Sequence, residues 1–225
     1  MSNFVYITLD TTAPANPVVT IAGGALAVSN QLVQLAISVD DADKTGYQML
    51  IWGDVDTTYD TKVQATEATS QWQAYSASPQ VKLSAGDASK TINVRVRDAV
   101  NNPSNVAVDS VNLDATIPTI TVTYSATTIS EQSGKDTFSF TFQSSDAFTD
   151  YKVMLVTSTG ATDTQGTQIP VTNGSTNVSG TGSFLSSTVT TVTLKAQDLR
   201  LAGANMNAQN IIKPFVKNQA GVWSA

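Results

Sequence analysis

Three carboxylates that lie close together in the sequence are the residues best suited to chemistry. Asp54, Asp56 and Asp60 fall within one short segment, and carboxylates at such spacing can converge on a hard cation such as Ca²⁺. An EF-hand loop that began at Asp54 would need glycine and glutamate at the positions where the chain has Tyr59 and Ala65. The segment therefore predicts either a calcium site of another kind or a solvated acidic loop.

Two further acidic groups have both a metal-binding and a structural interpretation. The turn at residues 40–43 contains three aspartates, and aspartate favours turns through hydrogen bonds from its side chain to nearby backbone groups. Asp10, Asp98 and Asn101 can meet near one end of a domain and hold Ca²⁺ there. They can equally cap the backbone groups of a strand turn, which is the interpretation that the turn chemistry favours.

The aromatic residues suggest a binding surface as an alternative to a core. The apolar ring faces of Trp72, Tyr59 and Tyr75 are suited to stacking on sugar rings, with the neighbouring acidic loop binding the hydroxyl groups. Trp52 and Trp72 also fit positions in or beside a hydrophobic core. Trp223 is expected to pack on its own domain or on a partner subunit.

The residue types that the chain lacks exclude several kinds of chemistry. The 225 residues contain neither His nor Cys, so disulfides, thiolate metal sites and a Ser-His-Asp triad are impossible. The acids in the second half are scattered and suggest no glycosidase pair. We therefore expect a protein that is not an enzyme and that needs no cofactor, with Ca²⁺ as the one candidate ion.

The charge distribution argues against nucleic acid and membrane partners. The net charge is −6. Residues 1–114 carry twelve acidic and six basic side chains, whereas residues 115–225 carry six of each. An acidic surface without a basic tract is repelled by phosphate and by anionic lipid. No apolar run approaches the length of a membrane span, and the first ten residues lack the basic region and cleavage site of a signal peptide.

An internal repeat organises the whole chain. Leu9–Pro14 (LDTTAP) recurs as Leu113–Pro118 (LDATIP), 104 positions later, and Tyr47 and Tyr151 have the same separation. A third match, between residues 94–102 and 214–222, has an offset of about 120, which indicates an insertion in the second repeat. The period of about 100 residues is the size of one small β-sandwich domain.

Alternating apolar residues predict short strands in both repeats. The expected strands of the first repeat are 18–21, 32–39, 47–52, 81–83, 91–96 and 106–113. Those of the second are 120–124, 137–142, 151–156, 189–194 and 211–216. In 106–113 we expect Val106 and Val108 to face inward, together with Val111 and Leu113. No amphipathic helix is predicted, and residues 165–182 are expected to form a long exposed loop or hairpin.

The segment Phe4–Leu9 (FVYITL) has strong strand character and precedes the first repeat. It is expected to pair within its own domain or to add a strand to a neighbour's sheet, through backbone hydrogen bonds. The first alternative is slightly favoured. Phe4, Tyr6 and Trp223 are accordingly candidate docking residues.

The anchors resemble those of the bacterial and phage immunoglobulin-like family. They are the opening Leu9–Pro14 and the closing turn 97–101 followed by Ser104. The stretch 46–60 is similar to immunoglobulin-like proteins of tailed-phage virions. The resemblance is good over residues 5–114 and weaker over 115–225, where Asn218 replaces the closing aspartate.

The resemblance implies an all-β chain of two tandem immunoglobulin-like β-sandwich domains, residues 1–114 and 115–225, joined by a short linker that Pro118 stiffens. It further implies a structural protein at the virion surface, present in many copies, which contacts other virion proteins of a capsid or tail lattice. Capsid decoration is the expected function. The alternative is a tail, neck or baseplate module that adheres to host surface glycans.

Overall fold

The computed structural model describes residues 6–125 and 128–225. The chain divides into two compact units, Met1–Asp114 (unit 1) and Ala115–Ala225 (unit 2). Strands dominate both units, as predicted. None of the helices in the described ranges has the length and apolar character that a membrane crossing requires.

Unit 1 is a sandwich of two sheets, one antiparallel and one mixed. Its strands are β1 (Val18–Ile21), β2 (Ala27–Val28), β3 (Leu32–Ser38), β4 (Gln48–Gly53), β5 (Gln73–Ala74), β6 (Gln80–Lys82), β7 (Ala88–Arg97) and β8 (Ala107–Leu113). One sheet has the order β1-β3-β6 and the other β2-β8-β7-β4-β5. The pair β2·β8 is parallel, and this order of strands is that of an immunoglobulin-like sandwich.

The core of unit 1 forms where the inner faces of these sheets meet. Leu35 on β3 and Ile92 and Val94 on β7 are completely buried, as the alternating pattern predicts. The prediction for the last strand was right for Val111 and Leu113 and wrong for the other two residues, because Val108 is exposed and Val106 is only half-buried. The inner face of β8 carries Ala107, Val111 and Leu113, which are buried.

Unit 2 repeats the sandwich with an inserted region. Its elements are β9 (Ile120–Thr123), β10 (Thr137–Ser144), β11 (Phe148–Val156), β12 (Thr167–Gln168), β13 (Ser179–Phe184), β14 (Thr190–Lys195), α1 (Ala196–Leu201) and β15 (Ile211–Lys217). One sheet has the order β14-β10-β9. In the other, β11 pairs with β15 along one edge and with β12 and β13 along the opposite edge.

Aromatic side chains form the core of unit 2. Phe142 and Phe148 are buried with their ring centroids 6.5 Å apart, and Tyr151 lies 5.4 Å from Phe142. Phe184 stacks on Phe148 at 4.6 Å. Phe140, on the same face of β10 as Phe142, is buried as well.

Two expectations for unit 2 were wrong. The six-residue helix α1 follows β14, where no helix was predicted. Residues 165–182 are not a simple exposed loop, because they contribute to β12 and β13 and bury Ile169, Ser175 and Val178. The physical reason is that these isolated side chains face the core while their neighbours face solvent, so no periodic pattern marks the segment.

The segment that precedes unit 1 does not form the predicted strand within the described residues. Residues 6–10 have no strand assignment, and Tyr6, Ile7 and Leu9 are 92%, 88% and 85% exposed. Phe4 and Val5 lie outside the described residues. Pairing of Tyr6–Leu9 with the sheets of unit 1, the slightly favoured alternative, is therefore not observed.

Candidate functional site

The acidic loop that follows β4 uses its carboxylates to organise the loop itself. Asp54 Oδ2 accepts a hydrogen bond from the backbone N–H of Thr91 at 2.9 Å, which fixes the loop to β7. Asp56 accepts bonds from the N–H and the hydroxyl of Thr58. Asp60 accepts the N–H of Lys62 at 2.9 Å. Asp56 and Asp60 thus have local donors, as is typical of aspartate in turns, whereas the donor to Asp54 lies on β7.

Asp56 is also paired with a cation of the protein. Lys82 Nζ lies 2.8 Å from its Oδ2. The hydrogen bond from Lys82, followed by those from Thr58, holds the pKa of Asp56 well below its ordinary value. Among the described residues, no group of three or more acidic side chains is placed to hold a metal ion. Asp54, Asp56 and Asp60 therefore do not converge into the predicted calcium site.

Of the predicted binding aromatics, Trp72 has the most organised surroundings. The guanidinium carbon of Arg97 lies 4.3 Å from the ring centroid, a distance at which a cation is attracted to the ring. Arg97 in turn donates to Oε1 of Gln48 on the adjacent strand. Trp72 is half-buried. Trp52 is also half-buried and lies outside the core cluster of unit 1.

The two tyrosines of the predicted glycan surface differ in their accessibility. The hydroxyl of Tyr75 donates to the carbonyl of Ile37 at 2.8 Å, and its ring packs against the core. Burial raises its pKa. Tyr59 is 49% exposed at the turn that begins at Asp56. Tyr75 is thus committed to the fold, while Tyr59 presents its ring to solvent.

The closing turn of each unit is built on one buried polar side chain. In unit 1, Asp98 accepts hydrogen bonds from the N–H groups of Val100 and Asn102 at 2.9 and 2.8 Å. In unit 2, Oδ1 of Asn218 accepts the N–H of Val222 at 2.8 Å. This confirms the capping interpretation of Asp98.

The same turns also anchor the segments that lead into each unit. Asn102 Nδ2 donates to the carbonyl of Asp10 at 3.1 Å, and Asn218 Nδ2 donates to the carbonyl of Thr116, also at 3.1 Å. Asp10 therefore contacts this turn through its backbone carbonyl. The side chain that binds this carbonyl is that of Asn102, not Asn101. Asn101 instead adopts a left-handed conformation with φ 72°, which asparagine tolerates.

The lowered pKa of Asp98 predicts that unit 1 loses stability in acid. Burial acts to raise the pKa of Asp98, but the hydrogen bonds from Asn102, Val100 and Asn101 outweigh it and the pKa is lowered. A lowered pKa stabilises the fold above the ordinary pKa of aspartate, and this contribution is lost as pH falls through the lowered value. We expect Asp98→Asn to reduce the melting temperature at pH 7 and to have a progressively smaller effect below about pH 4. Calorimetry of both proteins from pH 7 to pH 2.5 measures this difference, and an effect independent of pH would contradict it.

The candidate docking residues lie in different surroundings. Tyr6 is almost fully exposed. Trp223 is half-buried in its own unit, where it packs against a small cluster that includes Phe215. The ammonium groups of Lys152 and Lys217 lie 4.4 and 5.3 Å from its ring centroid. Phe4 lies outside the described residues.

The sequence interpretation missed one fully buried carboxylate. Asp198, on α1, has no exposed surface. It accepts the N–H and the side-chain amide of Asn173 at 2.8 and 2.9 Å, and the N–H of Ser175 at 3.0 Å. Burial acts to raise its pKa, but the bonds from Ser175 and Asn173 outweigh it and the pKa is lowered. The residues Asn173-Gly174 indicate a turn in the sequence. The carboxylate that accepts the hydrogen bonds of this turn belongs to Asp198, 25 positions further along the chain.

The chain is similar to several solved structures. No protein-family model and no curated protein matches the chain. Fibronectin(III)-like modules of Clostridium thermocellum CbhA are 10% identical, with 92% of this chain and 89% of that chain covered and a TM-score of 0.44. Chitinase ChiA74 from Bacillus thuringiensis is 18% identical, with 92% and 30% covered and a TM-score of 0.30. A tetra-tandem repeat from the extending region of a large adhesion protein is 12% identical, with 94% and 47% covered and a TM-score of 0.27.

Proposed function

We propose that this chain is a non-enzymatic module that acts by surface contact within a larger assembly. The observation that carries the proposal is the use of its acidic side chains. The carboxylates that the sequence offers for chemistry bind backbone donors or lysines, as in the contacts of Asp54, Asp56 and Asp60. With no histidine or cysteine in the sequence, the groups that remain for function are strand edges, loops and exposed apolar residues.

The assembly that we propose is the virion of a tailed phage, with capsid decoration as the specific function. The resemblance of residues 5–114 to immunoglobulin-like virion proteins supports this placement. The charge distribution supports different roles for the two units, because unit 1 carries the net charge of −6 and unit 2 is neutral. An uncharged unit meets less repulsion at a crowded lattice. Unit 2 would then dock on the other virion proteins in many copies, and unit 1 would face solvent.

Labelling of intact particles tests this placement. Antibodies raised against the purified chain, detected with gold, are applied to virions of the phage whose genome encodes it. We expect regular labelling of the head. Label confined to the tail or neck would instead support the adhesion function below. Virions without label, in a preparation whose lysate contains the chain, would contradict both placements.

A second candidate function is adhesion to host surface glycans. The observation that favours it is the arrangement of Trp72, which the guanidinium of Arg97 holds in place beside the amide of Gln48. A fixed aromatic ring beside polar donors and acceptors is suited to a sugar ring with its hydroxyl groups. Tyr59 would supply a further exposed ring.

A glycan array distinguishes the two functions. If adhesion is the function, Trp72→Ala is expected to abolish binding while the melting temperature stays within a few degrees of wild type. Trp52→Ala, which removes the same side chain at a half-buried position elsewhere in unit 1, serves as the control and should retain binding. Addition of a calcium chelator should have no effect, because Asp54, Asp56 and Asp60 do not converge on a metal site. Absence of binding to any bacterial polysaccharide would exclude adhesion and leave decoration.

A further inference from the structure

The turn that Asp198 anchors contains a dipeptide with a characteristic reactivity. Asn173 is the only asparagine of the sequence that glycine follows. Asn173 and Gly174 are both exposed, so water reaches them. Because glycine has no side chain, its backbone nitrogen can approach the side-chain carbonyl carbon of a preceding asparagine without steric hindrance. Among the asparagines of the sequence, Asn173 is therefore the one that its own backbone can attack most readily.

The reaction at such a dipeptide is deamidation. The backbone nitrogen of Gly174 forms a bond to Cγ of Asn173, and the bond between Cγ and Nδ2 breaks. The proton of the glycine nitrogen ends on the departing amide, which leaves as ammonia. One water molecule then opens the succinimide ring, at Cγ to give isoaspartate or aspartate according to which of the two ring carbonyls it attacks. The reaction consumes only water and changes no oxidation state.

The folded turn holds both reacting groups. Nδ2 of Asn173 donates to Oδ1 of Asp198 at 2.9 Å, and the backbone N–H of Asn173 donates to the same oxygen at 2.8 Å. The N–H of Gly174 donates to the carbonyl of Val171 at 3.2 Å. The amide that must be attacked and the nitrogen that must attack it are thus both engaged, so the reaction requires the turn to open.

The surroundings of the turn oppose the charge of the product. A carboxylate at position 173 would place an oxygen where Nδ2 now lies, against the completely buried carboxylate of Asp198, and two carboxylates at this distance repel each other. Lys195, whose N–H donates to Ser175 in the same turn, already uses its ammonium to bind Asp136 at 2.9 Å. The isoaspartate product also lengthens the backbone by one carbon atom, which displaces the N–H groups of the turn from Asp198.

Opening of the turn affects the core of unit 2. Ile169 and Val178, on either side of the turn, are buried in the aromatic core. Between them, Thr176 exchanges two backbone hydrogen bonds with Thr193 on β14, at 2.8 and 3.1 Å. Loss of the contacts with Asp198 therefore loosens a segment that covers the core.

We propose that Asn173 is a deamidation site that limits the lifetime of unit 2. Transient opening of the turn releases the dipeptide, deamidation converts Asn173 into aspartate or isoaspartate, and the product cannot restore the contacts with Asp198. The turn then stays open, so the modified chain is permanently less stable. The bonds with which Asp198 anchors the turn also protect its asparagine from the reaction. The inference goes beyond the proposed function, because it depends neither on a virion nor on a glycan.

Peptide mapping by mass spectrometry measures the reaction itself. The full chain is incubated at pH 8 in buffer and in urea, and deamidation is followed at every asparagine. In urea we expect Asn173 to be modified faster than every other asparagine. In buffer the rate at Asn173 should be at least about tenfold lower, because the turn must open first. Equal rates at Asn173 in the two solutions, or faster modification of another asparagine in urea, would overturn the proposal.

Matched substitutions in the full chain test the consequence of the modification. Asn173→Asp reproduces the aspartate product and should lower the melting temperature of unit 2 by about 10 °C. Asn177→Asp is the control, because it adds the same charge four positions later. The side chain of Asn177 is exposed and donates to the carbonyl of Thr191, so this substitution should lower the melting temperature by less than about 5 °C. Equal effects of the two substitutions would also overturn the proposal.

Discussion

Replacement of Asp198 with asparagine is expected to lower the free energy of unfolding of unit 2 by about 3 kcal/mol. The carboxylate is completely buried and accepts three hydrogen bonds from Asn173 and Ser175. An asparagine in its place has one acceptor oxygen, and its amide would point a donor at a neighbouring donor. Leaving buried donors without acceptors costs about 1–3 kcal/mol each, a large part of the stability of a small domain.

Urea unfolding followed by intrinsic fluorescence measures this effect. Glu131→Gln is the matched control, because it also removes one negative charge from unit 2. The ion pair of Glu131 with Arg200, at 2.8 Å, is largely solvent-exposed, and such pairs contribute about 0–1 kcal/mol. Equal effects of the two substitutions would show that Asp198 is not the anchor of the turn at Asn173.

Replacement of Gly53 with alanine is expected to destabilise unit 1 by roughly 3–5 kcal/mol. Gly53 ends β4 with φ 136°, a conformation that L-residues avoid, and an added Cβ would lie 2.2 Å from the carbonyl oxygen of Thr91. Both atoms belong to paired strands, because Gly53 is opposite Ile92. The clash can be relieved only by moving backbone in the sheet that positions the acidic loop.

A second glycine separates the clash from the conformational cost. Gly86 has φ 87° and an added Cβ would have nothing within 4 Å, so Gly86→Ala should cost only about 1–2 kcal/mol. The two variants are compared by thermal and urea unfolding at pH 7. Similar losses in both would show that the close approach of Gly53 to Thr91 is not a constraint on the fold.

Strand alternation predicted most of the sandwich and failed where the inner face is polar. In β3, and in β7 from Ile92 onward, the inward positions are uniformly aliphatic, so counting apolar residues identified the correct face. In β8 the inner face contains Asp109, whose carboxylate accepts the N–H of Ile21 at 2.7 Å, while Val108 is exposed. Hydrophobic periodicity cannot recognise an inward carboxylate with a distant partner, and it wrongly turned Val106 and Val108 inward while it was right for Val111 and Leu113.

The same distinction separates the candidate sites. Local contacts could be predicted from the sequence, and distant contacts could not. Aspartates that bond to a backbone group two residues ahead, such as Asp60 with Lys62, follow from turn chemistry in the sequence. The stacking of Arg97 on Trp72 and the burial of Asp198 depend on strands that meet only in the folded unit.

Titration of the full chain with Ca²⁺ tests most directly the claim that its carboxylates serve the fold and not a ligand. Asp54, Asp56 and Asp60 each accept a hydrogen bond within unit 1, and Asp56 is paired with Lys82. We predict no saturable heat of binding in isothermal titration calorimetry and an unchanged melting temperature at millimolar Ca²⁺. Saturable binding that Asp56→Asn abolishes would contradict the account.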